Sequence, residues 1–117
     1  MSARKELVER YCEGFRRGDH SMVLGCLSDD VTWYLPGYAT LQGKVAFDGE
    51  IENPAFSGHP TLTVSKLVEE ADTVVAVGEG TATRADGAPF RFAFCDTFRF
   101  AGDRIDRVES YVVALEG

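Results

Sequence analysis

Phe90-Arg91-Phe92-Ala93-Phe94-Cys95-Asp96-Thr97-Phe98-Arg99-Phe100 carries phenylalanine at every even position but one, and the exception is an aspartate. Strand side chains alternate between two faces, so the segment predicts a strand over about 89 to 100. Its apolar face holds Phe90, Phe92, Phe94, Phe98 and Phe100, with Asp96 in the middle. A carboxylate in that setting is desolvated. Burial disfavours the charged form and raises the pKa, making Asp96 a candidate for a neutral acid that donates a hydrogen bond near pH 7. The competing reading is a structural aspartate bonded to a buried hydroxyl or amide.

Outward from this strand, β-branched and aromatic residues with turn signals every ten or so positions predict three more strands, at about 61 to 69, 73 to 84 and 105 to 115. Glu70-Ala71-Asp72, Asp86-Gly87 and Gly102-Asp103 read as hairpin turns. With Asp86-Gly87 as the turn centre, Thr83 faces Phe90, Thr81 faces Phe92, Glu79 faces Phe94 and Val77 faces Asp96. Glu79 and Thr81 then share the apolar face, with Glu79 diagonal to Asp96 at about 7 Å. Two carboxyls in one dry pocket have their pKa values driven apart, which suits acid/base work. A three-residue loop reverses this parity and sends Glu79 to solvent between Gly78 and Gly80.

Before the strands, residues 3 to 17 set Leu7, Tyr11 and Phe15 four apart with Val8 beside them and charges on the remaining arc, an amphipathic helix ended by Gly18. Asp19 reads as the N-cap of a shorter helix with Met22, Val23, Cys26 and Leu27 on its apolar face. A short strand, Val31 to Leu35, stops at Pro36-Gly37, and Gly43 to Glu52 is weakly helical. Helices followed by a strand meander specify an α+β domain with the helices covering one sheet face. Tyr11 on the buried stripe needs a partner for its hydroxyl, and Asp96 is the candidate. Trp33 and Leu35 share a strand face, so the indole either walls the same cavity or is plain core.

The whole chain has 117 residues, with 12 Lys and Arg against 19 Asp and Glu, for a net charge of −7. This composition fits one small globular domain over 1–117. The negative balance and the lack of a basic, aromatic-interleaved cluster argue against nucleic acid. No stretch is long and apolar enough to span a bilayer, and no leader precedes the first helix, so a cytoplasmic location is expected. Cys12, Cys26 and Cys95 are odd in number and widely spaced, which suits free thiols. No metal-ligand spacing is present, and no cofactor motif. His20 follows the N-cap and is expected in solvent. His59, in Phe56-Ser57-Gly58-His59-Pro60, lies in a loop able to close over the open end of the sheet, as a solvent-exposed side chain or as a catalytic one.

The order of these elements resembles the nuclear transport factor 2-like superfamily, and within it the SnoaL-like and ketosteroid-isomerase-like proteins. The resemblance rests on Arg10-Tyr11 with Arg17-Gly18-Asp19, on Asp29-Asp30-Val31-Thr32-Trp33 leading to Pro36-Gly37, and on Asp96 to Phe100 with Arg104-Ile105 and Ser110-Tyr111. It implies a cone-shaped, strongly curved sheet wrapped around N-terminal helices, a cystatin-like α+β barrel enclosing a deep pocket, commonly a homodimer through the outer sheet face. It also implies that Tyr11 and Asp96 match the oxyanion donors of the steroid isomerases, enzymes already known to use a protonated aspartate in this way. The general base of those enzymes falls at Leu35, so their proton shuttle is not supported, and Glu79 is the candidate to replace it. Val108, Ser110 and Val112 face inward on the last strand. The implied function is cofactor-independent proton transfer, as in an isomerase, cyclase or dehydratase, on a small, largely apolar oxygenated molecule. The alternative is a non-catalytic binding module with the same pocket. Catalytic candidates are Tyr11, Asp96 and Glu79. Substrate-binding candidates are Trp33, Leu35, His59, Thr81, Phe94, Phe98, Val108, Ser110 and Val112.

Overall fold

A computed structural model describes residues 2–115; Met1, Glu116 and Gly117 of the expected 1–117 domain lie outside the described residues. Helix α1 spans Ala3–Arg17. The Ser2 hydroxyl caps its first turn by accepting from the Lys5 N–H, and Gly18 closes it in the left-handed conformation at φ 62°. Helix α2, His20–Leu24, is capped by Asp19, whose side chain accepts from Met22 N–H. At five residues it is shorter than its apolar pattern suggested, and Leu27 already belongs to strand β1 (Leu27–Leu35). Gly14 lets the two helices touch: a Cβ there would lie 2.6 Å from a Val23 methyl carbon.

Strand β2 (Ala39–Gln42) follows, then helix α3 (Gly43–Ile51) and the long strands β3 (Phe56–Glu70), β4 (Thr73–Arg84), β5 (Pro89–Ala101) and β6 (Arg104–Ala114). Sequence pattern alone gave no sign of β2, which has only four residues. The sheet order is β2-β1-β6-β5-β4-β3. All pairs are antiparallel except β1 with β6. The sheet is therefore mixed and stays open, with β2 and β3 at its edges, rather than closing into a barrel. Val8, Tyr11 and Cys12 of α1, Val23 of α2 and Phe47 of α3 pack onto its concave face against Val74, Ala76, Phe98, Phe100, Ile105 and Val108. No helix among the described residues is long and apolar enough to cross a membrane.

One register departs from the sequence expectation. The β4–β5 ladder pairs Ala82 with Phe90, Gly80 with Phe92, Gly78 with Phe94 and Ala76 with Asp96. The cause is the loop: Arg84 N–H bonds Ala88 O at 2.8 Å, leaving Ala85, Asp86 and Gly87 as a three-residue connection with Gly87 at φ 90°. A one-residue change inverts a whole strand. Glu79 and Thr81 thus point to the outer face, where Glu79 pairs with Ala93 and the Thr81 hydroxyl bonds Thr61 at 2.7 Å. The glycines face inward instead. A Cβ on Gly78 would lie 2.8 Å from Phe94 Cζ and one on Gly80 2.6 Å from Phe92 Cζ, so β4 gives up side chains where the β5 rings lie over it.

Candidate functional site

Between the concave sheet and the helices lies a cavity of about 580 Å³. Its walls are Tyr11 and Phe15 of α1, Trp33 and Leu35 of β1, Ile51 at the end of α3, Phe56 and Leu62 of β3, and Phe90, Phe92 and Phe94 of β5. Asp96 and Ser110 are the polar side chains at its inner end, while Glu52, Asn53 and Ser57 mark the mouth. The apolar wall follows from alternation: each even residue of β5 points inward, and the small β4 residues opposite leave the rings room.

Asp96 sits where its strand runs under α1. Its carboxyl is desolvated, and Oδ1 has no hydrogen-bond partner among the described residues, although the residue as a whole keeps some surface on the cavity. Burial is the main cause that pushes its pKa up from 3.8 to about 7, and a hydrogen bond from Ser110 pulls the other way. Tyr11, 3% exposed, packs edge-on against Phe98 at 5.0 Å between ring centres and tilted against Phe15 at 5.0 Å. Burial first, and then the Asp96 charge, hold its phenol well above the usual range, so it stays a donor. Among the described residues no hydrogen bond joins the Tyr11 hydroxyl to Asp96; the two share the cavity as unlinked neighbours. Cys12 beside them is pushed up to about 12, chiefly by burial, and remains a thiol.

The structure brings together Tyr11, Asp96, Trp33, Leu35, Phe94, Ser110 and Val112, the last at the rim and 52% exposed. It separates the others. Phe98 and Val108 are fully buried in the core and do not line the cavity. Glu79 and Thr81 stand on the opposite sheet face, excluded by the register. His59 is exposed and turned away from the cavity, with its ring packed on Gly18; a Cβ on that glycine would fall 2.0 Å from the imidazole Cε1. Contrary to the loop expected there, His59 lies within β3, where the register slip between Ser57 and Thr61 brings Ser57, Gly58 and Pro60 to the cavity.

Two features went unread in the sequence. Phe90 and Phe92 line the cavity with Phe94, and the alternation that points to Phe94 includes them both. His20 is not a free solvent group: its Nδ1 meets Asp48 Oδ1 at 2.5 Å and its Nε2 meets Glu52 Oε1 at 2.6 Å, and these carboxylates, Asp48 first, raise its pKa. The spacing 48 and 52 on one helix face was the available signal. Among the described residues no group of three or more His, Cys, Asp or Glu side chains could hold a metal ion.

The same fold recurs widely among solved structures. An NTF2-like protein of unknown function from Burkholderia pseudomallei superposes with a TM-score of 0.89 at 25% identity, over 97% of this chain and 92% of that one. TerC, co-crystallised with polyporic acid, gives 0.86 at 21% identity, over 96% and 92%. An LEH-like epoxide hydrolase from M. tuberculosis gives 0.82 at 14%, over 95% and 83%. No curated protein matches the sequence. The SnoaL-like domain family matches residues 8–108, a span from the first buried valine of α1 to the core valine of β6 that takes in Tyr11, Trp33 and Asp96, and the chain belongs to that family.

Proposed function

We propose that the cavity binds a small, largely apolar molecule through one of its oxygens and that Asp96 moves a proton on it. The observation that carries this reading is the Asp96 carboxyl, buried in an aromatic cavity with Oδ1 partnerless and a pKa of about 7. A group half-ionised near neutrality serves equally as acid and base, which is where general acid–base catalysis is most effective. Tyr11, held protonated, is the donor that polarises the substrate oxygen. By the resemblance Leu35 stands where the steroid isomerases have their base, and Glu79 lies on the outer face, so in this reading Asp96 takes both halves of the transfer. Its carboxylate removes a proton beside a carbonyl, Tyr11 stabilises the enolate oxygen, and the resulting acid returns the proton at the same or a conjugated carbon. This sequence is an isomerisation and needs no redox partner; the same enolate becomes a cyclisation product when it attacks a second carbonyl of the molecule and Asp96 protonates the new alkoxide, or a dehydration product when Asp96 protonates a β-hydroxyl that leaves as water. The co-crystallisation of TerC with polyporic acid supports a small-molecule role for cavities of this fold. Epoxide opening by an Asp-Arg-Asp arrangement has no support, since no arginine is among the cavity-lining residues.

The test uses apolar cyclic ketones such as 2-tetralone in heavy water, with α-proton exchange followed by NMR. Exchange faster than buffer, slowed about 100-fold or more by Asp96→Asn and less steeply by Tyr11→Phe, is the expected result. Saturation transfer from protein to ketone with exchange no faster than in Asp96→Asn would assign the chain to the non-catalytic, ligand-binding reading.

A further inference from the structure

The polar chemistry of the cavity continues behind Asp96. Ser110 stands directly across from it in the β5–β6 ladder and hydrogen-bonds its carboxyl. Trp33, one strand further, donates its indole Nε1–H to Ser110 Oγ at 2.9 Å in a buried contact. The indole is held in place: it stacks on Phe47 with ring centres 4.1 Å apart at 20° and meets Phe15 edge-on at 6.0 Å.

The direction of this chain is fixed by what each group can do. An indole nitrogen only donates, so Ser110 Oγ accepts from it, and the single hydroxyl proton of Ser110 is left for the carboxyl. We propose that Trp33 and Ser110 are positioning residues which orient the Asp96 carboxyl for the transfer. The inference deepens the acid/base reading of Asp96 and rests on it, but it makes a claim of its own, that the ionisation of Asp96 is transmitted through Ser110 to the Trp33 indole. The other groups facing Asp96 are Tyr11 and Cys12 from α1, both neutral across the relevant range, and Ala76 from β4.

Trp33 is the only tryptophan in the chain, so its indole N–H resonance is a unique reporter. The experiment follows that resonance and the Asp96 carboxyl carbon, in protein labelled at aspartate Cγ, across a pH titration. The aspartate signal is assigned by its loss in Asp96→Asn. Ionisation of Asp96 draws the Ser110 hydroxyl toward it and makes Ser110 Oγ a better acceptor, so the indole proton moves downfield with the same midpoint as the carboxyl. In Ser110→Ala the carboxyl still titrates, with a midpoint higher by about one pH unit, and the indole no longer follows. Ser110→Thr restores the coupling. An indole signal that stays flat through the wild-type carboxyl transition, or that follows it equally in Ser110→Ala, overturns the proposal. A coupled pair of transitions at the ordinary aspartate pH would instead keep the relay and defeat the acid/base reading. Residual movement of the indole in Asp96→Asn equal to that of the wild type would show that it does not arise from Asp96 and overturn the relay.

Discussion

Asp96→Asn should make the folded protein more stable at alkaline pH, contrary to the usual result of altering a buried polar site. The folded carboxyl has its pKa raised from 3.8 to about 7, so between those values the native state holds a proton that the unfolded chain has released. Stability falls with rising pH wherever the native state binds more protons. The stabilisation linked to this group is therefore complete below pH 3.8 and is lost as the pH climbs to about 7. Three units at about 1.4 kcal/mol each give a loss of roughly 4 kcal/mol, a large fraction of a small domain's total. Asparagine has nearly the shape of the protonated acid, can accept from Ser110 and never ionises. Wild type and variant should match at about pH 4, and the variant should gain up to about 4 kcal/mol by pH 8.5. Urea unfolding followed by the fluorescence of Trp33, with all other titrating groups common to both proteins, isolates the difference. If the gap between the two does not change with pH, or if the variant is the less stable protein at pH 8.5, then Asp96 is not held neutral by burial.

Other consequences are simpler. Gly18→Ala places a Cβ at φ 62° and 2.0 Å from His59, so it should lose about 1–2 kcal/mol from backbone strain and displace the first residues of β3; adding His59→Ala should recover only the steric part, as read by thermal melting. Glu79→Gln should leave ketone binding and α-proton exchange at wild-type values, because the residue sits on the outer face; slower exchange would return it to the site. His20 has its pKa raised by Asp48 and Glu52, so its contribution is fully present below about pH 6.5 and disappears above its folded value. His20→Ala should accordingly lower the melting temperature at pH 5.5 and change nothing at pH 9; an equal effect at both would mean that packing, not charge, ties α2 to α3.

Much of this architecture is legible in the sequence because each element carries its own periodicity. The four-residue spacing of Leu7, Tyr11 and Phe15 yields α1, and the alternating phenylalanines yield β5 with its inward aspartate. The site was harder to read because it depends on relations between elements. Asp86-Gly87 looks like a two-residue turn, and a two-residue turn there would turn β4 over. The strand itself held the correction: its inward positions are Val74, Ala76, Gly78, Gly80 and Ala82, all apolar or glycine, while the outward ones include Thr73, Glu79, Thr81 and Thr83. Small residues opposite large rings were stronger evidence of facing than the turn motif. The Trp33–Ser110 bond joins positions 77 apart, and nothing local encodes it.

The alternation of β5 also works as a ruler. Successive inward residues stand about 7 Å apart along a strand, so the six steps from Phe90 to Asp96 cover about 20 Å, and the polar end of the cavity is set by counting residues inward from its rim. Chain length along one strand thus becomes depth of reach. A ligand is measured by whether its oxygen arrives at that depth while its apolar body lies along the rings, and moving the aspartate by one inward step would change the length of molecule accepted without altering the fold around it.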